Sequence, residues 1–165
     1  MGGWHDFFAT AAQASAALAG LVFVGISINL EMIMANPSYG LTGRALEALV
    51  ILAGELIMTS LLLVPAQGTV VVGLEMLVTG IAAWAAIVAT QLLQLRNWHS
   101  LEATLRPRFV SRVVLGQVGT LPLVAAGIAL LSWGVSGLYL MAAGVLLTIL
   151  VAGANAWILL VEIKR

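Results

Sequence analysis

Two acidic side chains, Glu55 and Glu75, stand in the mostly apolar stretch ILAGELIMTSLLLVPAQGTVVVGLEMLVTG, residues Ile51 to Gly80. Each is followed four residues later by a threonine, Thr59 and Thr79, which one helical turn brings to the same face. A carboxyl kept from water is costly unless it is paired or protonated, so acids in such a setting mark ion paths and proton relays by default. Two carboxyls close together also influence each other's protonation, and such a pair can bind a cation or exchange a proton. The alternative is hydrogen-bond glue between helices, where each bond contributes about 0.5–2 kcal/mol. In a helical hairpin symmetric about Gln67, Glu55 comes level with Thr79 and Thr59 with Glu75. The expectation is therefore reciprocal: Glu55, Glu75, Thr59 and Thr79 form one ion- or proton-binding group, each carboxyl facing the other helix and meeting a hydroxyl there.

The elements that must hold this group are membrane helices. Hydrophobic residues make up 62% of the chain and charged residues only 8%, against about a quarter in soluble domains. Mean hydropathy is +1.10. With no cysteine there is no disulfide framework, thiolate metal site or thiol nucleophile. A spanning helix needs about 20 apolar residues. Stretches of that length fall at about 7–30, 44–64, 69–95, 109–133 and 138–161. They are separated by Asn36–Gly40, by the tight Pro65–Gly68 turn, by a polar segment from Arg96 to Arg108, and by Gly134–Gly137. The expected fold is all-α, a single transmembrane domain over residues 1–165, built as a polytopic bundle of five spans.

Charge orients that threading. Five spans put the first loop, the third loop and the C-terminus on one side, and every basic residue falls there: Arg44, Arg96, Arg106, Arg108, Arg112, Lys164 and Arg165. Cytoplasmic loops collect Lys and Arg, so the N-terminus is expected outside and the C-terminus in the cytoplasm. The first helix lacks the cationic flank and the short apolar run of a cleaved signal peptide, and is expected to be retained. Trp4, Trp98 and Trp133 fall near helix ends, where amphipathic rings favour the interface.

Helices in lipid associate through small residues and polar bonds. Ala12, Ala16 and Gly20 form such a row on the first helix, flanked by Ala9, Ala17 and Gly25, and Gly144, Thr148 and Ala152 form one on the fifth. Packing within one chain is the first expectation for both rows, and packing between copies in a homo-oligomer the second. Pro122 should kink the fourth span near Gly119. Gln13, Gln117 and Asn155 offer a secondary polar path, with Gln91 and Glu47 nearer the interface. Glu47 most simply pairs with Arg44 one turn earlier. The segment RNWHSLEATLRPRFVSR holds four arginines against one glutamate. Arg96, Arg106, Arg108 and Arg112 are expected on anionic headgroups, each adding about 1 kcal/mol. They are too few and too dispersed for nucleic acid.

Enzymatic readings fail on spacing. Gly134-Val135-Ser136-Gly137 has the look of an intramembrane serine nucleophile, but His5 precedes the first span and His99 lies across the membrane. No His-Glu-x-x-His, no phosphate-binding glycine loop and no histidine pair for haem occurs within the spans, so neither catalysis nor a cofactor is expected. The segment FFATAAQASAALAGLVFVGISINL resembles the opening of small, uncharacterised bacterial multi-pass membrane proteins. That resemblance covers the first helix and implies a bacterial cytoplasmic membrane, with no activity or site residue attached. Two functions follow from the residues: a small channel or transporter for protons or a cation, or a non-transporting assembly or regulatory subunit that binds another membrane protein.

Overall fold

A computed structural model describes residues 2–35, 41–95 and 106–160. The Asn36–Gly40 turn, Arg96, Trp98, His99, Lys164 and Arg165 lie outside the described residues. Helix α1 covers His5–Ile28, α2 Leu30–Ala35, α3 Leu41–Leu61, α4 Thr69–Leu95, α5 Arg106–Trp133 and α6 Gly137–Leu160. The described residues are helical apart from short turns, as the apolar runs and their Gly and Pro boundaries demand. Between α1 and α2 the ladder is interrupted at Asn29, whose side-chain amide and backbone N–H both donate to the Gly25 carbonyl, at 3.0 and 3.2 Å. A single 3₁₀ turn, Gly134–Ser136, joins α5 to α6, with Gly134 at φ +60, a left-handed conformation that glycine adopts at no steric cost.

Among the described residues, three stretches are long and apolar enough to cross a membrane: His5–Ile28, Thr69–Leu95 and Phe109–Ile158, the last running through α5, the turn and α6. Helix α3 has the length but carries Arg44, Glu47 and Glu55. Its place in the bundle explains how it tolerates them. Helix α3 packs against α1, α4, α5 and α6, whereas α4 and α5, and α5 and α6, share the broadest interfaces. It is the central helix, and its charged side chains meet protein on every side. Outward from the bundle point Leu21, Phe23, Leu93, Val114, Ile128 and Leu150, the apolar surface that lipid would cover.

Close backbone approaches set the packing. A Cβ added at Gly127 of α5 would lie 2.7 Å from the Leu77 backbone nitrogen of α4. Pro122 lies inside α5, which continues through it. The ring removes one donor and crowds the preceding turn. In that turn the Gly119 carbonyl accepts from the Thr148 hydroxyl of α6 at 2.9 Å. The row Gly144, Thr148 and Ala152 therefore packs within the chain as expected, buried against α5 and α3.

The row on α1 does not. Ala16 and Gly20 are exposed, and a Cβ at Gly20 would meet nothing within 4 Å. Helix α1 instead buries Phe8, Ala11, Ser15, Val22 and Gly25. These also recur at helical spacing, and the face carrying the large Phe8 and Val22 gains more contact than a smooth one. The Trp4 ring, stacked on Phe8, sits edge-on to Tyr139 with centroids 4.8 Å apart. The starts of α1 and α6 therefore share one end of the bundle.

Candidate functional site

The hairpin of α3 and α4 decides which polar groups meet. Thr90 donates to Glu47, a Cβ at Gly54 would touch Ala83, and one at Gly80 would touch Met58. Glu55 is therefore level with Ala82 and Ala83, about one turn away from Thr79. The symmetric pairing about Gln67 fails because the chain does not reverse directly after α3. Leu63 N–H and Val64 N–H bond back to the Ser60 and Leu61 carbonyls, both at 3.1 Å, so the segment keeps rising before α4 begins.

Glu55 is fully buried, at 0% exposure. Neither carboxyl oxygen has a hydrogen-bond partner. Thr59 donates to its own helix, to the Glu55 backbone carbonyl at 2.8 Å, rather than across the hairpin. Ser15 of α1 is the polar side chain beside the carboxyl, but its hydroxyl donates to the Ala11 carbonyl at 2.9 Å. Its oxygen is near the carboxyl without a hydrogen bond of good geometry between them. On one side along α3, Ile51 packs with Ile87 and Val151, and Leu52 with Val22 and Ala152. On the other, Met58 belongs to a cluster with Phe8, Met76, Leu123 and Met141. The carboxyl sits between apolar layers.

Glu75 is elsewhere. It is half-buried, and the Gln67 side-chain amide donates to both its oxygens at 3.1 and 3.3 Å. The expected reciprocal group of Glu55, Glu75, Thr59 and Thr79 is thus not assembled: no hydroxyl bonds the Glu55 carboxyl, and Glu75 is tied to the turn.

A larger polar assembly lies at the opposite end. Arg112 of α5 grips Glu47 of α3 with two bonds, Nε to Oε2 at 2.9 Å and Nη2 to Oε1 at 2.8 Å, and their side chains are 4% and 2% exposed. Such parallel bonds are the strongest geometry available to this ion pair. Thr90 of α4 donates to Glu47 at 2.9 Å, and Arg112 also donates to Gln94 of α4. The guanidinium lies over Gly43, where any Cβ would collide with it. Arg44, also buried, donates to Asn155 of α6 at 3.4 Å. This arrangement corrects two expectations. Glu47 pairs with Arg112, not with Arg44 on its own helix, because the parallel helix α5 offers a bidentate partner at equal depth. Arg112 is enclosed by the bundle and so cannot serve anionic headgroups, whereas Arg106 is exposed. Arg108 lies in α5.

Next to this assembly, Trp84 of α4 donates to Gln117 of α5 at 2.8 Å, and Gln117 donates to Gln91 of α4 at 3.1 Å. Gln117 and Asn155 thus belong to interior networks. Gln13 does not join them: it is exposed on α1, on the same outward side as Ala16 and Gly20. The secondary polar path consequently ends short of the N-terminal end. Among the described residues no group of three or more His, Cys, Asp or Glu could hold a metal ion.

The comparisons with known proteins add nothing to this geometry. No family model, curated protein or solved structure matches the chain.

Proposed function

We propose that the protein crosses the membrane five times and moves a proton or a cation through the bundle by way of Glu55. The observation that carries this reading is the contrast between Glu55 and the acids Glu47 and Glu75. Glu47 is held by Arg112 and Thr90, and Glu75 by Gln67, so each contributes bonds to the fold. Glu55 contributes none through its carboxyl. Burying an unbonded carboxyl costs several kcal/mol, on the order of 2–7. Packing gains nothing from a group left so, which favours a task at that position over glue.

The threading is supported by the distribution of charge. The described basic residues, Arg44, Arg106, Arg108 and Arg112, lie at the end formed by the starts of α3 and α5. The opposite end carries Trp4, His5, Asp6 and Tyr139. With the cationic end inward, the N-terminus is outside and the C-terminus cytoplasmic. Location in a bacterial cytoplasmic membrane rests on the resemblance carried by α1 alone. Arg106, with Arg96 and Arg108, is suited to anionic headgroups.

The test is ion flux into proteoliposomes under an imposed gradient. Wild-type protein passes the ion, and Glu55→Gln, correctly folded, falls to the level of protein-free vesicles. Equal leak through both proteins would remove Glu55 from the route.

A second reading has one observation in its favour. The outward face of α1 carries Ala16, Ala17 and Gly20 beside Gln13, an amide that lipid cannot satisfy. A non-transporting subunit would dock another membrane protein, or a copy of itself, on that face. It would co-purify with its partner and give no flux.

A further inference from the structure

The geometry points to the proton, and not a metal cation, as the species that Glu55 accepts. This rests on the reading of Glu55 as the transported ion's site and names the ion. A dehydrated metal cation needs about six oxygen ligands in the case of Mg²⁺ and more for Ca²⁺. Membrane ion sites commonly obtain part of that shell from helices unwound at mid-span, whose freed carbonyls turn to the ion. Glu55 has no such supply. Helix α3 is unbroken from Leu41 to Leu61 and α1 from His5 to Ile28. The Glu55 carbonyl is already taken by Thr59, and the Ala11 carbonyl by Ser15.

Among the described residues, the oxygens placed at this site are the two of the carboxyl and that of Ser15, well short of a coordination shell. The α4 residue packed at this level is Ala83, and the neighbouring layers are Ile51, Leu52 and Met58. Charge is missing too. On α3 itself the nearest ionisable group is Glu47, two turns away at about 12 Å and neutralised by Arg112. Of the helices packed on α3, α1 contributes His5 and Asp6 at its exposed start. Helix α2 contributes the exposed Glu31, α4 contributes Glu75, bonded to Gln67, and α5 contributes Arg106, Arg108 and Arg112. The described part of α6 contributes no ionisable group except Tyr139, exposed at its start. A bound metal ion would bring one or two positive charges against a single carboxylate in an apolar layer. A proton brings none in excess, because it converts the carboxylate to a neutral acid, whose burial costs far less than that of a charge.

The experiment is infrared difference spectroscopy on the full chain in lipid, beside flux measured with a pH-sensitive dye and with radiolabelled Na⁺, K⁺, Mg²⁺ and Ca²⁺. In the wild type a carboxylic-acid C=O band is expected that shifts in D₂O, disappears on alkaline titration and is absent in Glu55→Gln. Saturating Na⁺, K⁺, Mg²⁺ or Ca²⁺ at fixed pH leaves it unchanged. Conversion of that acid to carboxylate by any one of these ions, in the wild type but not in Glu55→Gln, would overturn the assignment while leaving transport through Glu55 intact. A carboxylate signal at every pH would overturn it as well. An acid band that behaves as expected in vesicles without proton flux upholds the proton as the occupant and sinks the transport reading. Glu55→Asp, which keeps an acid, serves if the Gln variant does not fold.

Discussion

Replacing Arg112 with Met tests the largest electrostatic statement made by the bundle. The guanidinium makes two bonds to Glu47 and a further one to Gln94, and both charged side chains are almost wholly enclosed. Methionine fills much of the volume but donates nothing. Glu47 is then left with the Thr90 hydroxyl as its remaining donor among those bonds, 2% exposed. Removing one partner of a buried pair costs about 3–5 kcal/mol, most of it the penalty of the stranded charge. Replacing both partners with apolar residues is neutral or stabilising by about 1–4 kcal/mol. The measurement is a four-cornered cycle of wild type, Arg112→Met, Glu47→Leu and the double variant, unfolded by SDS titration from detergent micelles and followed by circular dichroism. The single variants should each lose several kcal/mol and the double variant should recover most of it. A single-variant loss below about 1 kcal/mol, the range of solvent-exposed pairs, would refute the enclosed ion pair. So would losses that simply add.

The same titration checks four further statements. Gly127→Ala, whose Cβ would press 2.7 Å from the Leu77 backbone nitrogen, should cost about 1–3 kcal/mol. Gly20→Ala, which meets open space, should stay within about 0.5 kcal/mol of wild type. Thr148→Val removes bonds to the Gly119 and Gly144 carbonyls and should cost about 1 kcal/mol, with a loss of protection in amide exchange around Pro122. Gln67→Ala frees Glu75 at the turn and should cost about 0.5–1.5 kcal/mol while leaving any wild-type flux unchanged.

Element boundaries were legible in the sequence because apolar runs and helix breakers report them directly. Helix α4 occupies Thr69–Leu95, as its pattern predicts, and α3 and α5 begin within a turn of expectation. Partners were not legible, because they depend on helix register. Counting symmetrically from Gln67 sets Glu55 against Thr79, but the rising segment after Leu61 shifts the hairpin and sets it level with Ala83. Local spacing likewise proposes Arg44 for Glu47, since a neighbour one turn away is visible in sequence and one on α5 is not. A signal for the true partner was present: Arg112 lies one and a half turns inside α5, too deep for a headgroup, at the depth of an acid on another helix. The α1 row shows the converse limit. Small residues at four-residue spacing mark a face that permits close approach, and whether another helix of the same chain occupies it depends on competition with the Phe8 face.

The placement of α3 also bears on how the chain enters the bilayer. Each arginine or acid at the middle of an isolated span disfavours insertion by about 2.5–3.5 kcal/mol. Arg44, Glu47 and Glu55 therefore leave α3 a poor candidate to partition alone as it leaves the ribosome. The arginine that neutralises Glu47 emerges only with α5, more than sixty residues later. With α3 as one of the five proposed spans, its integration depends on downstream helices or on a chaperone that shelters it, and truncation before α5 should strand α3 outside the lipid.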